Sequence, residues 1–252
     1  FTNNHRGIAL HGMHYTKTNN NTFTIGEPYF DGNGNIVPPC GIYLESCDAY
    51  QVQSNTMSNA SGTSSAHDFG IVAHLTGLNP NELRQNNFTN IAYGIQAQNK
   101  NSGLQLKCNK FTTGTIGVAD INVQSLAGLY NGSIAPNQGV CSSFPTTLPG
   151  NEFSQTCGTA KDLDAYFPLY NTTVYNTRNS IPVETPPTGC YNGSYFSTPN
   201  CPSAGNGLVC PPIPCCLNPQ QLRLAIKTSK QDVKNLEQLL ATGDAPILYN
   251  TL

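Results

Sequence analysis

Carboxyls are the first groups in this chain from which chemistry could be built. Glu45, Asp48, Asp68, Glu82, Asp120 and Glu152 could supply an acid and a base, and hydrolysis of a glycosidic bond needs two carboxyls roughly 5 to 9.5 Å apart on one face. Such an enzyme would bring some of these acids into one groove with the bases Arg84 and Lys107. No two of the six share an aligned position in the repeat that organises the chain, so the sequence predicts scattered carboxyls. Histidines are the second source. His11 and His14 stand three apart, and His67-Asp68 lies near His74, but a zinc site needs a third ligand and a triad needs an oriented base. Sequence order supplies neither, and the histidines read as surface or loop residues. Asp31-x-Asn33-x-Asn35 imitates the start of a calcium loop, yet Ile36 stands where that loop needs glycine and Ile42 where it needs an acid. It reads as an Asn-Gly turn. No cofactor or metal is expected.

The 10 cysteines are many for a reducing compartment. The spacing of Cys190, Cys201, Cys210, Cys215 and Cys216 contains no paired Cys-x2-Cys knuckle of the zinc ribbons. Disulfides are therefore expected among Cys141, Cys157, Cys190, Cys201, Cys210, Cys215 and Cys216. Cys40 and Cys108 fall inside repeat strands and read as buried thiols. Asn-x-Ser/Thr triplets at Asn59, Asn131, Asn171 and Asn192 carry little weight in a chain so rich in these residues.

Composition excludes several classes. Charged residues are 10% of the 252, tryptophan is absent, and the formal net charge is -2. No basic surface is available to recruit nucleic acid or acidic lipid, and no apolar run approaches the ~20 residues of a membrane span. Abundant Asn, Ser, Thr and Gly suit stacked strands joined by tight turns, because Asn and Gly tolerate left-handed backbone.

Such strands would have to position any site, and a repeat defines them. Asparagine followed two residues on by Phe or Met occurs at Asn21/Phe23, Asn55/Met57, Asn86/Phe88, Asn109/Phe111 and Asn151/Phe153. Thr18, Val52, Leu83 and Leu106 each stand three residues before the asparagine. Units open at Gly7-Ile8, Gly41-Ile42, Gly70-Ile71, Gly94-Ile95 and Gly117-Val118, and the uninterrupted Phe-to-Phe spacings are 22 and 23 residues. A period of this size signals units that stack on one another. Ile42 and Leu44, then Leu104 and Leu106, alternate with polar residues as strands with one inward face do. Equivalent residues would lie about 4.8 Å apart. Asn21, Asn55, Asn86 and Asn109 are predicted to form an amide ladder, beside an apolar stack of Phe23, Met57, Phe88 and Phe111.

The pattern Gly-Ile-x-Leu followed by x-Val-x-x-Asn-x-[Met/Phe] resembles the right-handed parallel β-helix repeat of the pectate-lyase superfamily, most nearly its copper-site-assembly and surface-protein branches. It covers roughly residues 1 to 160. The resemblance implies an all-β, right-handed parallel β-helix, a solenoid, and implies no single activity, because lyases, hydrolases, adhesins and stalks share the repeat. The paired-Asp and Gly-His-Gly pattern of polygalacturonases is absent from the sequence.

Residues 24–40, 58–68 and 119–150 interrupt the repeat and are expected to protrude as loops. Residues 161–217 are expected to form a Cys- and Pro-rich irregular cap over the end of the stack. From 218 the character changes again. Asn218 reads as an N-cap, and Leu222, Ile226, Ser229, Val233, Leu236 and Leu240 make one stripe of a C-terminal α-helical segment, 218–252, ending its first helix near Gly243. Phe1 reads as the close of a unit begun upstream, so a piece of a longer protein is expected.

The function expected is that of a non-catalytic, exported β-helix segment of a modular protein, extracellular or on the cell surface. The Cys-rich segment followed by 220–244 looks like the organisation of surface proteins that Bacteroidetes-type bacteria export by type IX secretion. That resemblance implies an adhesive passenger, or a component docked on outer-membrane secretion or gliding machinery, with other surface proteins or surface glycans as partners. A polysaccharide lyase or hydrolase using the flank is the alternative. So is a carbohydrate-binding module, of which exposed Tyr43, Tyr50 and Tyr93 along one flank would be the sign.

Overall fold

A computed structural model of the chain describes residues 2–59, 67–112, 118–126, 132–141, 148–155, 161–166, 173–177, 182–201 and 210. All lie in one compact unit, Phe1–Cys210; a second unit, Pro211–Leu252, lies outside them. The helix expected from 218 onward falls there, as do Cys215 and Cys216. Cys157 is outside the described residues too.

The fold is all-β and built on parallel sheets. After β1 (Thr2–Asn4), three strands follow in order: β2 (Arg6–His11), β3 (Lys17–Asn19) and β4 (Thr22–Ile25). A small hairpin, β5 (Tyr29–Phe30) and β6 (Ile36–Val37), intervenes. The same sequence of three then recurs as β7 (Cys40–Glu45), β8 (Gln51–Gln53) and β9 (Thr56–Asn59), and again as β10 (Phe69–His74), β11 (Asn81–Arg84) and β12 (Asn87–Thr89). A fourth circuit is β13 (Tyr93–Gln98), β14 (Leu104–Lys107) and β15 (Lys110–Thr112). Beyond it come β16 (Ala119–Gln124), β17 (Asn137–Gln138), β18 (Lys161–Tyr166), β19 (Thr173–Tyr175), a short 3-10 turn at Pro182–Glu184, and β20 (Phe196–Ser197).

Every first strand of a circuit joins one six-stranded sheet, ordered β18-β16-β13-β10-β7-β2. The second strands form a four-stranded sheet, β14-β11-β8-β3, and the third a five-stranded sheet, β1-β4-β9-β12-β15. Register follows the apolar pattern. Ile8, Ile42, Ile71, Ile95, Ile121 and Leu163 form one file across the six strands, and Leu10, Leu44, Ala73, Ala97, Val123 and Ala165 form the next. From Ile42 to Leu163 the first file is fully buried. Each such side chain contributes about 1.5–3 kcal/mol through burial, and a slip by one residue would turn both files outward.

Corners are marked by left-handed backbone. The residue after the long strand of each of the four circuits, Gly12, Ser46, Leu75 and Asn99, has φ of 62°, 52°, 53° and 60°. The residue before each ladder asparagine does the same: Asn20, Ser54, Gln85, Cys108 and Gly150 at 57°, 54°, 53°, 58° and 59°. Left-handed geometry costs a non-glycine residue roughly 1–2 kcal/mol, so bonds made by the next residue along must hold the corner.

Two expectations about the interruptions change. Residues 119–150 are not one protruding loop, because Ala119–Gln124 is an interior strand of the six-stranded sheet. Strand Lys161–Tyr166 adds a further member to that sheet beyond residue 160. Within 24–40, by contrast, the β5–β6 hairpin carries exposed Tyr29, Phe30 and Ile36.

Candidate functional site

The asparagines stand in one continuous file. The Oδ1 of Asn55 accepts the backbone and side-chain N–H of Asn21, both at 3.0 Å. Asn86 does the same for Asn55 and Asn109 for Asn86, at 3.0–3.1 Å, and Asn151 for Asn109 at 2.8 and 2.9 Å. Each Nδ2 also donates back to a carbonyl of the preceding circuit: Asn55 to Thr18, Asn86 to Val52, Asn109 to Leu83 and Asn151 to Leu106. Those carbonyls belong to the residues that the sequence places three before each asparagine. Asn55, Asn86, Asn109 and Asn151 have no exposed surface.

Beside the file runs an interior stack of Phe23, Met57, Phe88 and Phe111, continued by Phe153 and Tyr175. The Phe88 and Phe111 rings lie 5.0 Å apart and nearly parallel. Glycine opens each unit because there is no room for more. A Cβ on Gly7, Gly70 or Gly94 would come within 2.4–2.5 Å of a ring carbon of Phe23, Phe88 or Phe111, and one on Gly41 within 2.8 Å of the Gly70 carbonyl.

The next two places in the glycine file hold aspartates. Register puts Ala119 against Tyr93 and Ile121 against Ile95, so Asp120 lies opposite Gly94. Lys161 against Ala119 and Leu163 against Ile121 put Asp162 opposite Asp120. The fifth unit thus opens at Asp120-Ile121 and not at Gly117-Val118, and the acid that shares the repeat position of Asp120 is Asp162, which is not among the six acids nominated from the sequence. The cause is local. Gly117-Val118 copies the opening signature, while the apolar pair that sets register, Ile121 and Val123, stands three residues further on. Both aspartates are sealed from solvent, at 1% and 0% exposure. Ser154 N donates to Asp120 Oδ2 at 2.7 Å, and Ser154 Oγ lies 3.5 Å from Asp162 Oδ1. Burial pushes the Asp120 carboxyl well above the usual range and Asp162 up to about 6.

The remaining nominated acids do not converge. Glu82 pairs with Lys107 at 3.2 Å and accepts from Gln51 at 2.9 Å. Glu152 pairs with Lys110 at 2.8 Å. Asp68 is buried at a corner, receiving Asn59 Nδ2 at 2.5 Å and Ala92 N at 2.8 Å, and burial raises its pKa. Glu45 faces His11 at 3.2 Å, and Asp48 bonds to His14 and, at 2.6 Å, to Asn79. Sequence order could not show that these histidines meet acids of the next circuit. His74 is in register with Glu45, yet the described residues hold no cluster of three or more His, Cys, Asp or Glu fit to bind a metal ion. Asp31 Oδ1 accepts the amides of Asn33 and Asn35, both at 2.8 Å, so the calcium-like stretch is a turn closed on itself.

The tyrosine flank does not form. Tyr50 is buried with its hydroxyl 3.3 Å from Thr76, Tyr43 lies beneath the Arg6 guanidinium, and Tyr93 stacks on Phe69. Asn59 is likewise buried, its amide committed to Asp68. The exposed aromatics are elsewhere: Tyr15 at 85% and Phe30 at 70%, with Tyr29 at 49%.

Two disulfides join distant parts of the unit, Cys108–Cys210 across 102 residues and Cys141–Cys201 across 60. Cys190 is disulfide-bonded as well. Cys108 is thus a half-cystine and not the buried thiol expected of it. It sits at a left-handed corner, half-exposed, where its side chain can reach a partner outside the strand. Cys40 and Cys47 are free and buried, and burial pushes Cys40 up to about 12. No helix among the described residues is long and apolar enough to cross a membrane. Comparison with known proteins finds no matching family, no similar curated protein and no similar solved structure.

Proposed function

We propose that this chain is a right-handed parallel β-helix segment of an exported, surface-exposed protein, and that it binds through loops without catalysing a reaction. The fold part of the reading is supported by four circuits that visit the three parallel sheets in the same order. Disulfides over 102 and 60 residues support an oxidising location outside the cell, and the Cys-rich segment tied by them acts as the cap.

One observation carries the binding role. Glu45, Asp48, Glu82 and Glu152 are each engaged by a neighbouring His or Lys, whereas large apolar side chains are left in water on the connections between strands: Tyr15, Leu78, and Tyr29, Phe30 and Ile36 of the hairpin. Exposed aromatics on a rigid scaffold suit contact with a protein or with the apolar faces of sugar rings. The partner class is surface protein or surface glycan, and docking on outer-membrane secretion or gliding machinery belongs to the same reading.

The stacked aspartates do not serve the polysaccharide-enzyme alternative, because the two carboxyls lie within hydrogen-bonding reach of each other, closer than the roughly 5 to 9.5 Å such enzymes use. Their burial removes them from any glycan.

The test replaces Phe30 and Ile36 by serine and measures binding of the purified protein to bacterial surfaces and to arrayed glycans. Loss of binding with an unchanged melting temperature is expected. Undiminished binding removes the hairpin from the role, and release of reducing ends from a polysaccharide by the unaltered protein overturns the non-catalytic reading.

A further inference from the structure

Asp120 and Asp162 bring two carboxyls together in the interior on neighbouring strands of one sheet. We propose that they hold a single proton between them, and that this shared proton latches the β16–β18 end of the six-stranded sheet, which loosens when the proton is lost.

Parallel neighbours lie about 4.8 Å apart, and two ionised carboxylates cannot share so small a buried space. The two side chains are within hydrogen-bonding reach of each other. A carboxylate cannot donate, so that contact is attractive only when one of the pair is protonated. Asp162 Oδ2 is buried with no N–H or hydroxyl donor. Around the pair the backbone supplies donors: Ser154 N to Asp120, and Gln155 N to Asp162, with Gln155 in left-handed backbone at φ 56°. Successive amides pointing into one space favour a single negative charge and oppose a cation. The pocket therefore suits two carboxyls carrying one charge and one proton.

The latch holds more than β16 and β18. The Cys190 carbonyl accepts Asp162 N at 2.7 Å and Leu163 N at 3.2 Å, which ties the 187–190 turn to the same strand. Other ionisable groups around the pair are few. Tyr175 faces Asp120 and is held protonated by burial, and Glu184 faces Tyr175. On β18 itself, Lys161 donates to the Gly189 carbonyl and Asp164 accepts from Ala165 N.

Proton counting gives the sign. An ordinary aspartate ionises near 3.8, and burial raises both members of this pair, Asp162 to about 6. Above about pH 4 the unfolded chain has released both protons while the folded pair keeps one. Stability from the pair is thus fully present below about pH 4 and is lost as pH rises through the folded value, roughly tenfold in the folding equilibrium constant per pH unit.

Asp162→Asn supplies an amide donor in place of the proton and cannot ionise. The folding constants of wild type and variant are measured by urea denaturation from about pH 4 to about pH 8. Their ratio, variant over wild type, is expected to rise about tenfold per pH unit to about pH 6 or above and then level off. A ratio independent of pH overturns the proposal. So does stabilisation of the wild type, but not of the variant, by calcium or magnesium at about pH 8, which would make the pair a cation site. If Asp162→Asn does not fold, Asp120→Asn takes its place. The wild type is read independently by infrared spectroscopy near pH 5.5, where ordinary carboxylic acids are mostly ionised. A protonated-acid carbonyl band is expected beyond the contribution of Asp68, which Asp68→Asn removes. Its absence overturns the shared proton.

Discussion

Asn55 donates twice to one oxygen, its backbone N–H and its Nδ2 both meeting Oδ1 of Asn86 at 3.1 and 3.0 Å. A single side chain thereby replaces the strand-to-strand bonding that the corner interrupts. It also explains why a left-handed residue is tolerated immediately before each asparagine of the file.

Asn86→Ala leaves the backbone N–H of Asn55 and the Val52 carbonyl without the Asn86 side chain they bond to in the dry interior, while the Asn55 amide keeps the Thr18 and Gln53 carbonyls. Each buried polar group so stranded costs about 1–3 kcal/mol. Equilibrium denaturation is expected to show a loss of about 3 kcal/mol or more, with a smaller loss for Asn21→Ala at the half-buried end of the file.

Gly70→Ala puts a methyl group 2.4 Å from the Gly94 carbonyl and 2.5 Å from the Phe88 ring. Overpacking of this kind costs about 1–3 kcal/mol. Gly32→Ala, with nothing within 4 Å, serves as the control, and its melting temperature should match wild type within a degree or two.

Ser54→Gly acts at a corner with φ of 54°. Relief of the left-handed penalty outweighs the added chain entropy of glycine, for a net gain of about 0.5 kcal/mol. A rise in denaturation midpoint without a change in slope is the expected reading.

Cys210→Ser opens a loop of 102 residues and is expected to cost up to about 4 kcal/mol on loop entropy alone. Thiol labelling followed by peptide mapping should find Cys40 and Cys47 unmodified in the native protein, because both are buried and Cys40 is held as the thiol.

The interior columns were readable in the sequence because each circuit deposits one residue type at a fixed spacing. Asn86 and Phe88 announce themselves, and Gly70 marks the strand they pack against. Legibility failed where spacing ceased to be uniform. Gly117-Val118 mimics a unit opening three residues early, and that slip hid Asp120 from its neighbour Asp162. Tyr50 could not be told from an exposed tyrosine, since its burial depends on Thr76 and Asn81 of the next circuit. The His14–Asp48 and His11–Glu45 pairs span 34 residues and are fixed only by register.

The two disulfides are nested, Cys141–Cys201 lying wholly within the span of Cys108–Cys210. A protease that cuts once between residues 141 and 201 therefore releases nothing: the pieces are held by at least these two covalent ties and would part only after reduction. The exposed connection at Thr188-Gly189 could be nicked while the protein remains one molecule in every assay that omits a thiol.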